Sequence, residues 1–90
     1  MTAERVEAIQ QALESAFSPL HIQVKDQSHL HAGHAGARDG LGHFEVTIVA
    51  DAFDGMSRIE RHRVIYAALG TMMQTDIHAL KINAFSPSER

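Results

Sequence analysis

The feature that most constrains this chain is a stretch rich in histidine and glycine but poor in large apolar side chains. It runs from Ser28 to Phe44 and holds four of the seven histidines in the 90-residue chain. Such a stretch cannot supply a core element, so the flanking segments must form the fold, and long loops of this kind are usually functional or disordered. Imidazole binds metals and changes charge near neutral pH. The stretch therefore suggests a metal or cluster site, or a pH-sensitive contact surface. The alternative is that these are ordinary surface histidines.

The residues before this stretch predict one helix and one strand. Apolar residues spaced by three and four predict an amphipathic helix over about residues 3–17, and Pro19 ends it, because helical geometry is disfavoured before proline. The apolar face of this helix consists of Val6, Ile9, Leu13 and Phe17. The strand follows with alternating apolar and polar residues, which is the period of a half-buried strand. Its apolar residues are Leu20, Ile22 and Val24.

From the last two residues of the stretch, His43 and Phe44, onward, the sequence predicts a strand, a helix and a strand. The second strand lies in HFEVTIVA, and its apolar face consists of Phe44, Val46 and Ile48. Ser57 and Glu60 match the Ser-x-x-Glu capping box, which predicts a helix over about 58–73. This helix is expected to bury Ile59, Ile65, Leu69 and Met72 or Met73. A third strand is expected from Ile77 to Phe85, and about residues 86–90 read as a frayed polar tail.

This order of elements predicts a single small α+β domain over residues 1–90. The connection from the second strand through a helix to the third is long enough for a right-handed parallel crossover. The expected product is a three-stranded mixed sheet with helices packed on one face. No internal repeat or linker interrupts the pattern.

The composition narrows the possible functions. A hydrophobic content of 44% and a charged content of 21% are typical of a soluble globular protein, and no apolar run is long enough for a membrane span. The acidic N-terminal residues do not resemble a signal peptide, so a cytoplasmic location is expected. With no cysteine, the chain has neither disulfides nor thiolate ligands of its own. A net charge of −3 disfavours non-specific binding of nucleic acid. This net charge does not exclude a local basic surface.

Five short motifs occur in a fixed order along nearly the whole chain. They are Asp26-x-Ser28-x-x-His31, His43-Phe44, Phe53-x-Gly55, Arg61-His62-Arg63-x-Ile65-Tyr66 and Ile77-His78-Ala79-Leu80. In that order and spacing they resemble the BolA family. The resemblance implies a fold like the class II KH domain, which agrees with the α+β layer that the pattern predicts, and it gives the order of elements as α-β-β-α-α-β. It also implies a partnership with monothiol glutaredoxins that share a [2Fe-2S] cluster and, in some bacterial members, DNA binding and transcriptional control.

The resemblance also implies which residues bind the cluster. The histidine of the His-Ala-Leu motif is the family's constant ligand, which is His78 here. Pattern alone instead predicts a buried core histidine, because His78 has the parity of Leu80 in the third strand. The second ligand comes from the loop after the first strand, as cysteine or histidine, so this chain is of the histidine type. His31 matches that position, His34 is the alternative, and a site without a loop ligand is the third possibility.

The remaining histidines have simpler interpretations. His43 is either a half-exposed strand residue near the site or a ligand. His62 lies between two arginines of a helix and is expected to pack or to join a hydrogen-bond network rather than bind metal. His21 is expected to be solvated on the exposed parity of the first strand.

Arg58, Arg61 and Arg63 form a basic cluster in the first turns of the predicted helix. The dipole of a helix favours acidic side chains at its N-terminus, so the stability of the helix does not by itself explain why arginines are found there. A contact with nucleic-acid phosphate, the carboxylates of glutathione or an acidic partner is expected instead. The Gly-x-x-Gly loop of KH domains is missing from the segment Gly55-Met56-Ser57-Arg58, so RNA clamping of the KH type is not expected.

These observations favour an adaptor that shares a [2Fe-2S] cluster with a monothiol glutaredoxin and glutathione. No cluster is expected on the isolated chain, which should be a monomer or a weak dimer with no membrane association. The second hypothesis is a regulator that binds DNA through its arginine-bearing helix. No nucleophile with a recognisable partner supports an enzyme.

Overall fold

The structure is a computed structural model that describes residues 2–27 and 42–89, with side chains from residue 4 onward. Its helices and strands are α1 (Thr2–Phe17), β1 (His21–Asp26), β2 (Gly42–Val49), α2 (Arg58–Leu69), α3 (Met72–Thr75) and β3 (Ile77–Phe85). Short 3-10 turns follow β2 at Asp51–Phe53 and β3 at Pro87–Glu89. The order confirms the predicted arrangement α-β-β-α-α-β.

The three strands form one mixed sheet in the order β1-β2-β3. β1 and β2 are antiparallel, with Ile22 opposite Ile48, whereas β2 and β3 are parallel, with Val46 opposite Ile82. The parallel pair is joined through α2 and α3, as the length of the connection predicted. The sheet class is therefore confirmed.

One face of the sheet packs against the helices. The buried core consists of Ile9, Leu13, Phe44, Val46, Ile48, Ala50, Phe53, Ile65, Leu69 and Ile77. In β2 the buried residues at positions 44, 46 and 48 alternate with the opposite face, which carries His43, Glu45 and Thr47. This alternation places His43 on the side of the sheet away from the helices.

The helix expected over residues 58–73 is two helices. The capping box is confirmed, because the Ser57 hydroxyl accepts from the Glu60 N–H while the Glu60 carboxylate accepts from the Ser57 N–H. α2 ends at Leu69, where Gly70 takes a φ of +57° and its N–H donates to the Tyr66 carbonyl at 3.1 Å. A positive φ suits glycine, so the chain turns there before α3 begins.

Two apolar side chains that were expected to be buried are exposed. Leu20 precedes β1 and is 69% exposed, and Ile59 is 63% exposed. The core face of α2 is set by Ile65 and Leu69, which are four residues apart. Ile59 lies six residues before Ile65, which turns it about 240° around the helix and away from the core.

The expectation of a frayed tail is wrong for residues 86–89. Ser86 is only 2% exposed, and Pro87–Glu89 forms a 3-10 turn. The Ser86 N–H donates to the Glu89 carboxylate at 2.7 Å, which closes the turn. Glu89 also joins the turn to α2, as described below.

Candidate functional site

The histidine of the last strand is placed by a β-bulge. Gly42 of β2 pairs with Ile77, but the next residue, His43, pairs with Ala79, so β3 carries one extra residue at this point. A bulge of this kind re-aims a side chain and often lies next to a functional site. His78 is the extra residue, and its side chain is exposed, whereas Ile77 is buried in the core.

The prediction from strand parity that His78 is a core residue is therefore wrong. Counting back by two from Leu80 places His78 on the core face only if the strand is regular. The inserted residue shifts that count by one, and Ile77 fills the core position instead. The imidazole of His78 is accessible at the end of the sheet where β2 begins, as a ligand must be.

His43 lies beside His78. The two ring centroids are 5.1 Å apart and the ring planes are inclined at 56°. His43 is 8% exposed, so the expectation of a half-exposed residue is wrong. The sequence indicates that His43 lies near the site, because the His43-Phe44 motif belongs to the ordered set of motifs. Nothing in the pattern indicates that its ring lies against the ring of His78.

The backbone around this pair is fixed by hydrogen bonds. The Gln27 N–H donates to the His43 carbonyl at 2.7 Å, and the Gly42 N–H donates to the Asp76 carbonyl at 2.9 Å. These bonds join the end of β1, the start of β2 and the residue before β3. The two histidines therefore lie on a backbone that is held from both sides, which favours a preorganised site.

A polar network continues from His43 along the same face of the sheet. The Glu45 carboxylate accepts from the Gln27 amide at 3.1 Å and from the Asn83 amide at 3.0 Å. Asn83 also approaches the Thr47 hydroxyl at 3.4 Å. This network links β2 and β3 to the residue that follows β1, on the same face of the sheet as His43.

The described residues supply only part of a metal site. Within residues 2–27 and 42–89, no group of three or more His, Asp or Glu side chains is placed to hold a metal ion. The loop candidates His31 and His34, together with His29, lie outside the described residues. The residues that flank them, Gln27 and Gly42, lie at the same end of the sheet as His43 and His78. The chain therefore leaves and re-enters the sheet at the end that carries His78.

The three arginines of the expected basic cluster have different environments. Arg58 and Arg63 are exposed, whereas Arg61 is 9% exposed. The Arg61 guanidinium donates to the carbonyls of Met56 at 3.1 Å and Ala84 at 3.0 Å, and to both Glu89 oxygens at 2.6 and 3.0 Å. The expectation of three exposed cations is thus corrected for Arg61, which fastens α2 to the end of β3.

The Arg61–Glu89 pair shifts the titration of both groups. The hydrogen bonds from Arg61 and from the Ser86 N–H lower the pKa of Glu89 from 4.5 to about 2. The hydrogen bond to Glu89 raises the pKa of the Arg61 guanidinium. The sequence does not reveal Glu89 as the partner of Arg61, because the two residues are 28 positions apart.

The other two histidines agree with their interpretations. His62 is half-buried on α2 and meets the Tyr66 ring edge-on, with centroids 6.5 Å apart. His21 is exposed on β1, at the end of the sheet away from His78. Neither lies in the histidine pair.

The segment Gly55-Met56-Ser57-Arg58 does not lie between two helices, where a KH domain carries its Gly-x-x-Gly loop. Residues 55–58 precede α2, whereas the turn between α2 and α3 is Gly70-Thr71. The four residues from Gly70 read Gly-Thr-Met-Met, which also lacks the second glycine. The absence of the KH loop motif therefore holds at the correct position as well.

Comparison with known proteins gives a consistent result. A family model described as "BolA-like protein" matches residues 13–89. "SufE-like protein 1, chloroplastic/mitochondrial" of Arabidopsis thaliana is 43% identical over 86 residues, which cover 90% of this chain and 23% of that protein. "Protein BOLA1, chloroplastic" of the same plant is 38% identical over 88 residues, which cover 94% of this chain and 55% of that protein. The chain thus spans about half or less of the length of these two relatives.

A bacterial relative is matched over more of its length. "DNA-binding transcriptional regulator BolA" of Escherichia coli is 36% identical over 83 residues, covering 92% of this chain and 76% of that protein. Among solved structures, the "BolA domain of SufE1 from Arabidopsis thaliana" superposes with a TM-score of 0.84 at 40% identity, over 96% of this chain and 95% of that one. These likenesses agree with the observed α+β fold. Across the described ranges, no helix is long and apolar enough to cross a membrane.

Proposed function

Because the chain belongs to the BolA-like protein family, we propose that it is an adaptor that partners a monothiol glutaredoxin and shares a [2Fe-2S] cluster with it. The role would be iron–sulfur trafficking or iron sensing. The observation that carries the proposal is the exposed imidazole of His78 on a β-bulge, with the His43 ring 5.1 Å away.

The donor set of the chain fits a shared cluster. Such a cluster needs four protein or small-molecule ligands, and thiolates are its usual ligands. This chain has no cysteine, so it can contribute imidazole nitrogen only. The glutaredoxin cysteine and glutathione would supply two thiolates, and this chain would supply two histidines. When bound, such a centre supplies an electron-accepting group whose potential is raised by imidazole ligation.

His78 is the ligand that the chain holds in place by itself. It lies on a strand whose partner, β2, is anchored by the bonds at His43 and Gly42. We assign the second ligand to His31, with His34 as the alternative, because the described residues that flank them, Gln27 and Gly42, lie at the same end of the sheet as His78. His43 is a competing candidate on account of its proximity, and its burial also suits a residue that positions the His78 ring.

The direct test mixes the purified chain with a monothiol glutaredoxin, iron, sulfide and glutathione. Visible absorption and circular dichroism should then show a signature that neither protein gives alone. The isolated chain should stay colourless, because two imidazoles leave iron positions unfilled. A stable stoichiometric cluster on the isolated chain without any thiol donor would contradict the proposal, as would a glutaredoxin spectrum that the chain does not change.

The complex should also depend on pH. Imidazole binds iron only in its neutral form, so protonation competes with ligation. The mixed-ligand spectrum should be lost on mild acidification, before the fold of the chain is lost. Far-ultraviolet circular dichroism of the same samples separates the two events.

A second candidate function is that of a DNA-binding regulator. It is favoured by the name of the Escherichia coli relative and by the exposed Arg58 and Arg63. The neutralised Arg61 and the net charge of −3 reduce the basic surface that is available. Sequence-selective binding whose affinity falls steeply with salt would support this function. Equal, weak binding to all duplexes would exclude it.

The adaptor role includes no catalytic step by this chain. A cytoplasmic location and a monomeric or weakly dimeric state remain predictions, and the two plant relatives are named for chloroplasts and mitochondria. Sedimentation of the isolated chain over a range of concentrations tests the oligomeric state.

A further inference from the structure

A groove of about 620 Å³ lies between α2 and β3, and the proposed cluster site does not use it. Its wall on the helix side includes Arg58 and His62, and its wall on the strand side runs from Lys81 to Phe85. β3 is an edge strand of the sheet, and no described strand pairs with its outer side. The groove therefore runs along an open strand edge.

The backbone of β3 presents hydrogen-bonding groups to this groove. The Phe85 carbonyl accepts from the Ala50 N–H, so Phe85 is turned toward β2. Successive residues of a strand alternate in direction, which turns Ala84 and Ile82 outward. The Arg61 guanidinium bonds the Ala84 carbonyl from that outer side, in agreement with the alternation. The N–H and C=O of Ile82 are thus directed at the groove.

The groove already contains a carboxylate of the chain itself. Glu89 lies in its wall and accepts from Arg61 and from the Ser86 N–H. Although Glu89 lies in a 3-10 turn, this contact shows that the groove accommodates a carboxylate. Arg58 lies exposed in the same groove, and the exposed Lys81 lies there with its Nζ 3.8 Å from a carboxylate oxygen of the partly buried Glu45.

Arg58 is unfavourably placed for the stability of its own helix. It is the first residue of α2, where the helix dipole repels a cation. A cation that costs stability at an exposed position is consistent with a role in binding. The two exposed cations of the groove, Arg58 and Lys81, match a peptide with few acidic residues better than a duplex, which carries one charge per about 1.7 Å.

We propose that this groove docks an extended acidic segment of a partner protein. The segment adds to the outer edge of β3 through Ile82 and places a carboxylate at Arg58, while the Arg61–Glu89 pair forms the fixed end wall. Strand addition of this kind takes its affinity from main-chain bonds and its specificity from side-chain contacts. The proposal is independent of cluster binding, since the groove and the histidine pair share no residue.

The test uses a fluorescein-labelled hexapeptide of alternating glutamate and valine, with the same peptide carrying glutamine as its neutral counterpart. Fluorescence anisotropy should show that the full chain prefers the glutamate peptide. Arg58→Glu should weaken that binding by about fivefold or more, because an attraction becomes a repulsion. The matched control is Arg63→Glu, which makes the same charge change on the same exposed helix outside the groove and should change affinity by less than about twofold.

The variant Arg58→Glu is expected to fold, because an acid in the first turn of a helix is favoured by the dipole. In the complex, hydrogen exchange at the Ile82 amide should slow, whereas Asn83, which faces β2, should be little affected. Equal losses for Arg58→Glu and Arg63→Glu, or no preference for the glutamate peptide, would overturn the proposal. So would unchanged exchange at Ile82, or a duplex DNA that binds the groove more tightly than the peptide and loses affinity with Arg58→Glu.

Discussion

The ring of His78 lies beside the ring of His43, with centroids 5.1 Å apart, because one residue is inserted into β3 at their level. Without the bulge, His78 would point into the core that Ile77 fills. The insertion converts a core position into an exposed one, which the proposed role of His78 as a ligand requires, while the strand continues unbroken to Phe85. A ligand on such a strand needs no ordering when a partner binds, so its placement costs little conformational entropy.

The first prediction concerns His78→Ala. It should abolish the mixed-ligand spectrum in the glutaredoxin complex, because His78 lies on a fixed strand and no loop residue takes its place. The free energy of unfolding should change by less than about 0.5 kcal/mol, since the side chain is exposed. Visible circular dichroism and urea denaturation measure the two quantities.

The control is His21→Ala, which removes an exposed strand histidine at the opposite end of the sheet. It should leave the spectrum intact. Loss of the fold in His78→Ala, or a cluster spectrum that survives it, would show that His78 is a structural residue only.

The second prediction separates the candidates for the other ligand. His31→Ala alone should reduce the cluster signal partly, because His34 follows three residues later and can take over. The double variant with His34→Ala should match His78→Ala. His43→Ala should destabilise the fold by about 1 kcal/mol, as a buried side chain is lost, and should weaken the signal through the orientation of His78.

A different result would reassign the ligand. If the double loop variant keeps the full spectrum while His43→Ala abolishes it at a temperature where the chain stays folded, the second ligand is His43. Exogenous imidazole then offers a further readout, since it should restore the spectrum of a variant that lacks a ligand but not that of an unfolded one.

Much of the fold followed from local pattern. The strand from Ile77 to Phe85 and the capping box at Ser57 were predicted correctly, because both depend on residues close together in sequence. The break at Gly70 was missed, because an isolated glycine is tolerated within a helix and only the tertiary course shows that the chain turns there. The prediction that Ile59 is buried is wrong, because it considers the hydrophobicity of the side chain but not its direction around the helix axis.

The site was less accessible to sequence reasoning. Strand parity predicted a buried His78, and a single inserted residue reversed that result. No local signal marks the insertion, since it depends on how β2 and β3 align. Arg61 was grouped with its exposed neighbours because its partner, Glu89, lies in a segment that resembled a frayed tail. Contacts between residues this far apart depend on the assembled fold.

The third prediction concerns Gly70→Ala. The new Cβ would meet no atom within 4 Å, so space is not the obstacle. The obstacle is the positive φ of Gly70, which alanine adopts only with strain. The variant should therefore lose about 1–2 kcal/mol of unfolding free energy. Ala67→Gly, at an exposed position inside α2, is the comparison, since it weakens the helix by propensity alone. A neutral or stabilising Gly70→Ala would mean that the turn relaxes to a negative φ.

The fourth prediction concerns Glu89→Gln and its pH dependence. At pH 7 the variant should be less stable than the parent chain, because the amide keeps the shape of the carboxylate but loses the charge that faces Arg61. The control is Glu14→Gln, which removes one negative charge from an exposed position on α1 and should have little effect. Urea denaturation at several pH values compares the three chains.

The pH window follows from the pKa of Glu89, which is lowered from 4.5 to about 2 in the folded chain. Above the ordinary value the carboxylate is charged in both states, and its stabilising contribution is fully present. As the pH falls from 4.5 toward 2, the unfolded chain takes up the proton first, so this contribution declines. The difference between Glu89→Gln and the parent chain should therefore be constant above about pH 6 and clearly smaller at pH 3. A difference that does not change between pH 7 and pH 3 would show that Glu89 acts through packing or neutral hydrogen bonds rather than through its charge.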